Sequence, residues 1–319
     1  MPRVMVKARQ AAGFRAAAIA LAALAALSAC GPRAPNPASE APAERPPSSR
    51  IPDRPPPGSA PVPPSASAAN CKAGAYAAAA AANARSLRTL RWAPFRRPEV
   101  GWETYAPRIA QEIGSPCAPQ SGGFARALAG WQARERLGGG GRLTEETFTR
   151  MRDRWQMARP FVRLRGACPP PPDVTRLAAA EPSEGYAGKA VALRPGALAA
   201  WRRMAAAARA ESAQIRADPR NLTIFSAFRA PDADAARCAL EQNCDGIVRA
   251  TCSPHRTGLA MDLFVGAAPG FSPDSSADPN RLYQSKTPVY RWLVANAGRF
   301  GFVNYPFEPW HWEWTGEAP

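Results

Sequence analysis

The chain has 319 residues and carries 41 lysines and arginines against 25 acidic residues, a formal charge of +16 at neutral pH. It is long enough for one domain of ordinary size plus a smaller one. A charge of this sign can signal nucleic-acid binding. The export signal at the N-terminus argues against nucleic acid as a partner, so the excess is read as solvated arginine on a surface suited to anionic polymers.

Arg3, Lys7, Arg9 and Arg15 precede an apolar run from Ala16 to Leu27, the layout of a secretory signal. That run is too short to span a bilayer comfortably. Leu27-Ser28-Ala29-Cys30 then resembles the bacterial lipoprotein cleavage box. Residues 1–29 would be the signal peptide, and Cys30 the lipidated first residue that anchors the protein to a membrane. Gly31 stands where Asp retains lipoproteins at the inner membrane, so the expected location is the periplasm, on an outer-membrane anchor. Residues 30–70 are dominated by Pro, Ala and Ser and hold no aromatic side chain. Such a segment cannot bury enough apolar surface to fold and reads as a disordered tether, its residues 31–69 reaching at most ~120 Å at ~3.1 Å per residue.

Residues 71–172 read as a helical domain. Ala73 to Leu90 is rich in alanine, and Phe124, Leu128 and Trp131 recur at i, i+4, i+7 on one helical face. After the break at Gly138 to Gly141, Thr144 has the character of an N-cap, with Glu145 and Glu146 in the first turn and Phe148, Met151 and Trp155 as the apolar stripe. This helix, Gly-rich turn and helix loosely resembles three-helix peptidoglycan-binding modules. The aromatics at helical period are read as core rather than as a ligand platform. Four prolines, Pro169 to Pro172, end this region.

Residues 173–319 alternate helix and strand signals. Pro195 opens a helix expected to run to about Arg216, with Leu198, Trp201, Ala205, Ala208 and Ile215 buried. Leu222 to Phe225 reads as a strand, Asp232 to Leu240 as a helix, and Leu259 to Val265 as a strand carrying Asp262. Thr287-Pro288 starts another helix that Gly301 terminates. In the last strand, Trp310 to Trp314, His311 and Glu313 fall on one face and three tryptophans on the other. The fold class expected is α+β, a small antiparallel sheet with flanking helices, plus the N-terminal helical domain.

Beyond Cys30 the chain has Cys71, Cys117, Cys168, Cys238, Cys244 and Cys252. An even number in an oxidising compartment reads as up to three disulfides, whose pairing sequence alone leaves open. Three of them crowd the approach to His255, so at least one bridge is expected to brace that loop.

The chain contains only two histidines, His255 and His311. His255 lies seven residues before Asp262 across a Gly-containing turn, and His311 follows Glu308 by three. Two neutral imidazoles and one carboxylate suit Zn²⁺, and three protein ligands leave a position for substrate or water. Ser253-x-His255-x-x-Gly258-x-Ala260-x-Asp262, with Glu308-x-Trp310-His311 downstream, resembles the zinc D-Ala-D-Ala peptidases of the VanX/VanY type (peptidase family M15, hedgehog/DD-peptidase-like fold). Ser226-Ala227-Phe228-Arg229 is similar to the Ser-x-Tyr-Arg element of that family, with Phe for Tyr.

The resemblance implies His255, Asp262 and His311 as zinc ligands and Glu308 as general base. It further implies Arg229 as donor to the scissile carbonyl and Ser226 as a substrate-binding position; Ser253 is read either as a substrate-binding residue or as the cap of the metal loop. Glu313 is read as a partner that orients His311. The implied activity is a zinc metallopeptidase acting on peptidoglycan stem peptides, most simply a D-alanyl-D-alanine carboxypeptidase. Many VanY-like relatives carry a basic residue two positions after the last His, and Glu313 stands there instead. A peptidoglycan endopeptidase, cutting D,D cross-links or the L-Ala-D-Glu bond, and a non-catalytic peptidoglycan-binding lipoprotein are the alternatives.

Overall fold

Apolar periodicity and turn chemistry place most elements where the sequence puts them. In the computed structural model, which describes residues 71–242, 244 and 252–319, the helices are α1 (Ala77–Ser86), α2 (Ala106–Ile113), α3 (Gly122–Arg134), α4 (Glu145–Met157), α5 (Pro160–Arg163), α6 (Pro195–Glu211), α7 (Ala213–Arg216), α8 (Pro231–Glu241), α9 (Asp278–Gln284) and α10 (Pro288–Asn296). The strands are β1 (Arg91–Trp92), β2 (Glu99–Val100), β3 (Ala178–Ala179), β4 (Ala192–Leu193), β5 (Ile224–Ser226), β6 (Ala260–Leu263), β7 (Phe302–Asn304) and β8 (His311–Trp314). The expected signal peptide, Cys30 and the tether lie outside the described residues. Among the described residues no helix is long and apolar enough to cross a membrane.

Caps account for several boundaries. Thr144 accepts the backbone N–H of Thr147 at the start of α4, and Thr287 accepts that of Tyr290 at the start of α10. The helix expected from Pro195 to Arg216 is interrupted. Ser212 is extended (φ −131°), and its hydroxyl accepts the N–H of Ile215, so it ends α6 and caps the separate turn α7. A serine that bonds the backbone locally competes with helix continuation, which the apolar periodicity does not report. At the N-terminus the alanine-rich stretch is helical only over α1, preceded by a 3₁₀ turn at Gly74–Tyr76.

The sheet that matters for function has four strands in the order β5-β6-β8-β7, all antiparallel. Its register sets Ser226 opposite Asp262, and Asp262 opposite His311. Met261 and Trp312 form the next pair, on the other face of the pleat. The register Ala260↔Glu313 and Val303↔Glu313 centres Glu313 between β6 and β7.

The apolar face joins a hydrophobic core that does not stop at the proline run. Trp102, Phe124, Leu128 and Phe148 belong to the same buried cluster as Leu198, Trp201, Leu293 and Trp312. Tyr105 and Tyr290, from opposite ends of the described chain, share a hydrogen bond of 2.7 Å between their hydroxyls. Three disulfides pair the cysteines as Cys71–Cys117, Cys168–Cys252 and Cys238–Cys244. Cys168–Cys252 joins the end of the helical region to the residue just before Ser253, the brace expected for the His255 loop.

Candidate metal centre

His255 is delivered by a 3₁₀ turn, Pro254–Thr257, that ends at Gly258 in the left-handed conformation (φ +69°). The positive φ favours glycine at 258, and a Cβ there would also sit tightly against the side chains of Leu177 and Arg194, at 3.1 and 3.2 Å. Arg194 fixes the turn by donating from Nε to the carbonyl of Thr257 at 2.8 Å. Asp262 and His311 need no such device, because the β6–β8 register places them side by side.

The three side chains converge. His255 Nε2 lies 3.2 Å from Asp262 Oδ2, and His311 Nδ1 lies 2.9 Å from Asp262 Oδ1. The imidazole centroids are 5.1 Å apart, and one ligand atom from each residue falls within 4.8 Å of the others. All three are buried. Each imidazole has its remaining nitrogen engaged outward: His255 Nδ1 with the carbonyl of Ala227 at 2.7 Å, and His311 Nε2 with Glu313 Oε1 at 3.4 Å. Outward hydrogen bonds of this kind hold rings in the orientation a metal ligand needs. The donor set therefore fits a divalent ion of the zinc type.

The electrostatics agree. Burial lowers the pKa of His255, against the pull of Asp262. Burial alone would also lower His311, but hydrogen bonds to Asp262 and Glu313 reverse this and raise it to about 9. Desolvation opposes the ionised form of Asp262, yet the charges and hydrogen bonds of both histidines hold its carboxyl far below the usual carboxylate range. Binding of a divalent cation by imidazoles and a carboxylate releases the protons those groups carry.

Glu308 lines the same cavity, which has a volume of about 500 Å³. A chain of turns fixes it: the N–H of Glu308 donates to Tyr305 O, and the N–H of His311 donates to Glu308 O at 2.8 Å. Glu308 is partly exposed to the cavity, and desolvation by the surrounding protein, opposed by His311, pushes its carboxyl up to about 7. Arg229 and Ser226 also line the cavity, as do Ser253, His255, Asp262 and His311. All the sequence-predicted site residues except Cys30, which lies outside the described residues, are thus brought to one place.

Two features went unread in the sequence. Asp234, 3% exposed on α8, accepts the Ser253 hydroxyl at 2.7 Å and pairs with Arg229 at 3.2 Å. The side chain of Ser253 is therefore committed to Asp234, and it makes no capping bond to its own turn. The second is Arg159, whose two nitrogens reach Glu313 Oε1 at 2.7 and 2.6 Å. Asp234 carried a faint signal, since an acid in the first turn of a helix soon after Arg229 is a ready partner for it. Trp310, placed opposite His311 by strand alternation, precedes β8 and forms part of the cavity wall as well as of the core.

Comparison with known proteins adds to this geometry. No curated protein matches the chain. Among solved structures, the LdcB LD-carboxypeptidase, described for peptidoglycan recognition, shares 23% identity over 39% of this chain and 60% of its own, with a TM-score of 0.29. The chain thus spans about 60% of the length of that structure. A mutant of the vancomycin resistance D,D-pentapeptidase VanY in complex with Zn(II) shares 21% identity over 46% of this chain and 83% of its own, with a TM-score of 0.28. Residues 190–317, which supply the whole His255, Asp262, His311 and Glu308 constellation, match the family model of VanY, D-alanyl-D-alanine carboxypeptidase.

Proposed function

We propose that the chain is a zinc-dependent peptidase that hydrolyses peptidoglycan stem peptides, most simply as a D-alanyl-D-alanine carboxypeptidase. The observation that carries this reading is the convergence of His255, Asp262 and His311 beside Glu308, inside a segment matching the VanY family model. Bound there, Zn²⁺ supplies Lewis acidity toward a carbonyl and toward water. Glu308 accepts the proton of the attacking water and delivers it to the leaving amine, a role suited to a carboxyl with a pKa near neutrality.

Arg229 is held by Asp234 through one nitrogen, while its Nε is buried with no hydrogen-bond partner among the described residues. That donor is available to a scissile carbonyl as negative charge develops on its oxygen. Ser226, opposite Asp262 on β5, lies on the cavity wall for substrate contact. Ser253 acts through Asp234 by keeping the Arg229 carboxylate partner in place.

Glu313 does not present a negative charge to substrate. It is 1% exposed and neutralised by Arg159, so in this reading a terminal carboxylate meets the cations of the cavity wall, Arg229, itself paired with Asp234, and Lys189, whose Nζ also donates to Phe225 O. Three disulfides support an oxidising compartment, and the leader with Cys30 supports a periplasmic protein on an outer-membrane lipid anchor. Incubation of the purified protein with stem pentapeptide and with cross-linked muropeptides tests the reading. Release of free D-Ala from the pentapeptide, with cross-links intact, is expected. Cleavage of cross-links alone would replace the carboxypeptidase by an endopeptidase, and no hydrolysis of either would leave only a peptidoglycan-binding role.

A further inference from the structure

We infer that Arg159 is a positioning residue for the metal centre, acting through Glu313 on His311, from a segment outside the family-matched region. The inference rests on the zinc reading above. Its starting point is local. Pro160 confines the residue before it to extended backbone, and Arg159 accordingly has φ −65° and ψ 129°. This ends α4 and turns the Arg159 side chain inward instead of continuing the helix. Arg159 is 6% exposed, and its guanidinium lies over the Tyr305 ring at 4.1 Å.

Two donors of Arg159 converge on Glu313 Oε1, while the N–H of Phe161 donates to Oε2 at 3.0 Å. Gln156 supports the arrangement by accepting from Arg159 Nη1 at 3.2 Å. Both oxygens of Glu313 are thereby fixed from one short stretch, residues 159–161. A carboxylate this buried and left without a charged partner would be costly, and would rotate or recruit water. Held as it is, Glu313 keeps Oε1 aimed at His311 Nε2 and so leaves Nδ1 facing Asp262 and the metal position. The chain of contacts runs from residues 156–161 to a ligand atom 150 positions away in sequence. None of its first members lies within residues 190–317.

The same stretch therefore supplies part of the centre that the matched segment lacks. Partners that orient a ligating histidine typically tune metal affinity by ~10–100-fold. The test uses the protein with residues 71–319 intact and reads zinc affinity by chelator competition, together with the visible spectrum of the Co²⁺-substituted protein. Arg159→Met is expected to weaken zinc binding by ~10–100-fold and to change the Co²⁺ spectrum. Arg159→Lys, which keeps the charge but not the two converging donors, should fall between Met and wild type.

Glu313→Gln should weaken binding similarly, and the double variant Arg159→Met with Glu313→Gln should be no worse than the weaker single, since both act through one link. Thr144→Ala, which removes the N-cap at the far end of α4 and touches neither Arg159 nor Glu313, should bind zinc as wild type does. That control separates positioning from general loss of stability. Wild-type zinc affinity and an unchanged Co²⁺ spectrum in folded Arg159→Lys and Arg159→Met would overturn the inference, as would strict additivity in the double variant. Failure of the wild-type protein itself to take up zinc would instead overturn the reading on which the inference rests.

Discussion

Replacing Glu308 by Gln keeps the size of the side chain but removes its ability to take a proton. Glu308→Gln is expected to retain zinc and to lose ~10²–10⁴-fold in turnover. Steady-state kinetics on a stem pentapeptide, with metal analysis of the same sample, checks this, and undiminished turnover would remove Glu308 from the chemistry.

A second carboxyl is perturbed outside the cavity lining. Glu99 is 2% exposed, and burial pushes it up to about 7 against the opposing charges of Arg281 and Lys286. The folded protein therefore binds this proton more tightly than the unfolded chain, where the value is near 4.5. Stability must then fall as pH rises from about 4.5 through 7 and level off above, by up to ~3 kcal/mol from this residue. Denaturant midpoints at pH 5 and pH 8 should converge in Glu99→Gln relative to wild type; an equal slope in both proteins would contradict the assignment. At this scale, His255, Asp262 and His311 stood out because histidine is so rare here and an acid stands at a fixed offset from it, and the motif resemblance singled out Glu308. Arg159 was not legible, because a lone charged residue among so many carries no local signature of a partner 154 positions away, and Asp234 was legible only faintly, as an acid soon after Arg229.

Among the elements, the strand pair β6–β8 does most to build the site, and alternation in the sequence located it. Trp310 to Trp314 alternates polar and aromatic positions, and the structure sets His311 and Glu313 on the site face with Trp312 on the core face. The hairpin-like register between distant strands was not legible, since nothing local says which strand Asp262 will meet. The disulfides divide in the same way: their number followed from composition, and their pairing needed the fold. Cys168–Cys252 closes a loop of sequence separation 84 and ties the His255 loop to the end of the helical region. In the chain-entropy account such a crosslink contributes ~4–5 kcal/mol. The double variant Cys168→Ser, Cys252→Ser should lower unfolding free energy by an amount of that order, measured by urea denaturation. A change below ~1 kcal/mol would show that the unfolded chain gains little freedom from the cut.

On the scale of the molecule, residues 71–172 and 173–319 lie on either side of a proline run and share one buried cluster. Separating them would expose faces built around Trp102, Phe148, Leu198 and Trp312, and would strip Arg159 from Glu313. A fragment of residues 173–319 is expected to lack cooperative thermal unfolding, and a fragment that folds and binds zinc would contradict that expectation. Composition announced the proline-rich boundary but not the packing across it, because apolar stripes at helical period show that a face is buried without showing against what.

The central claim is that two distant imidazoles and one aspartate hold a single catalytic ion, and metal analysis of the purified protein tests it most directly. After incubation with Zn²⁺ and removal of the excess, the account predicts about one zinc per chain, abolished in folded His311→Ala. A folded wild-type protein that retains no zinc, or a His311→Ala variant that retains as much, would contradict it.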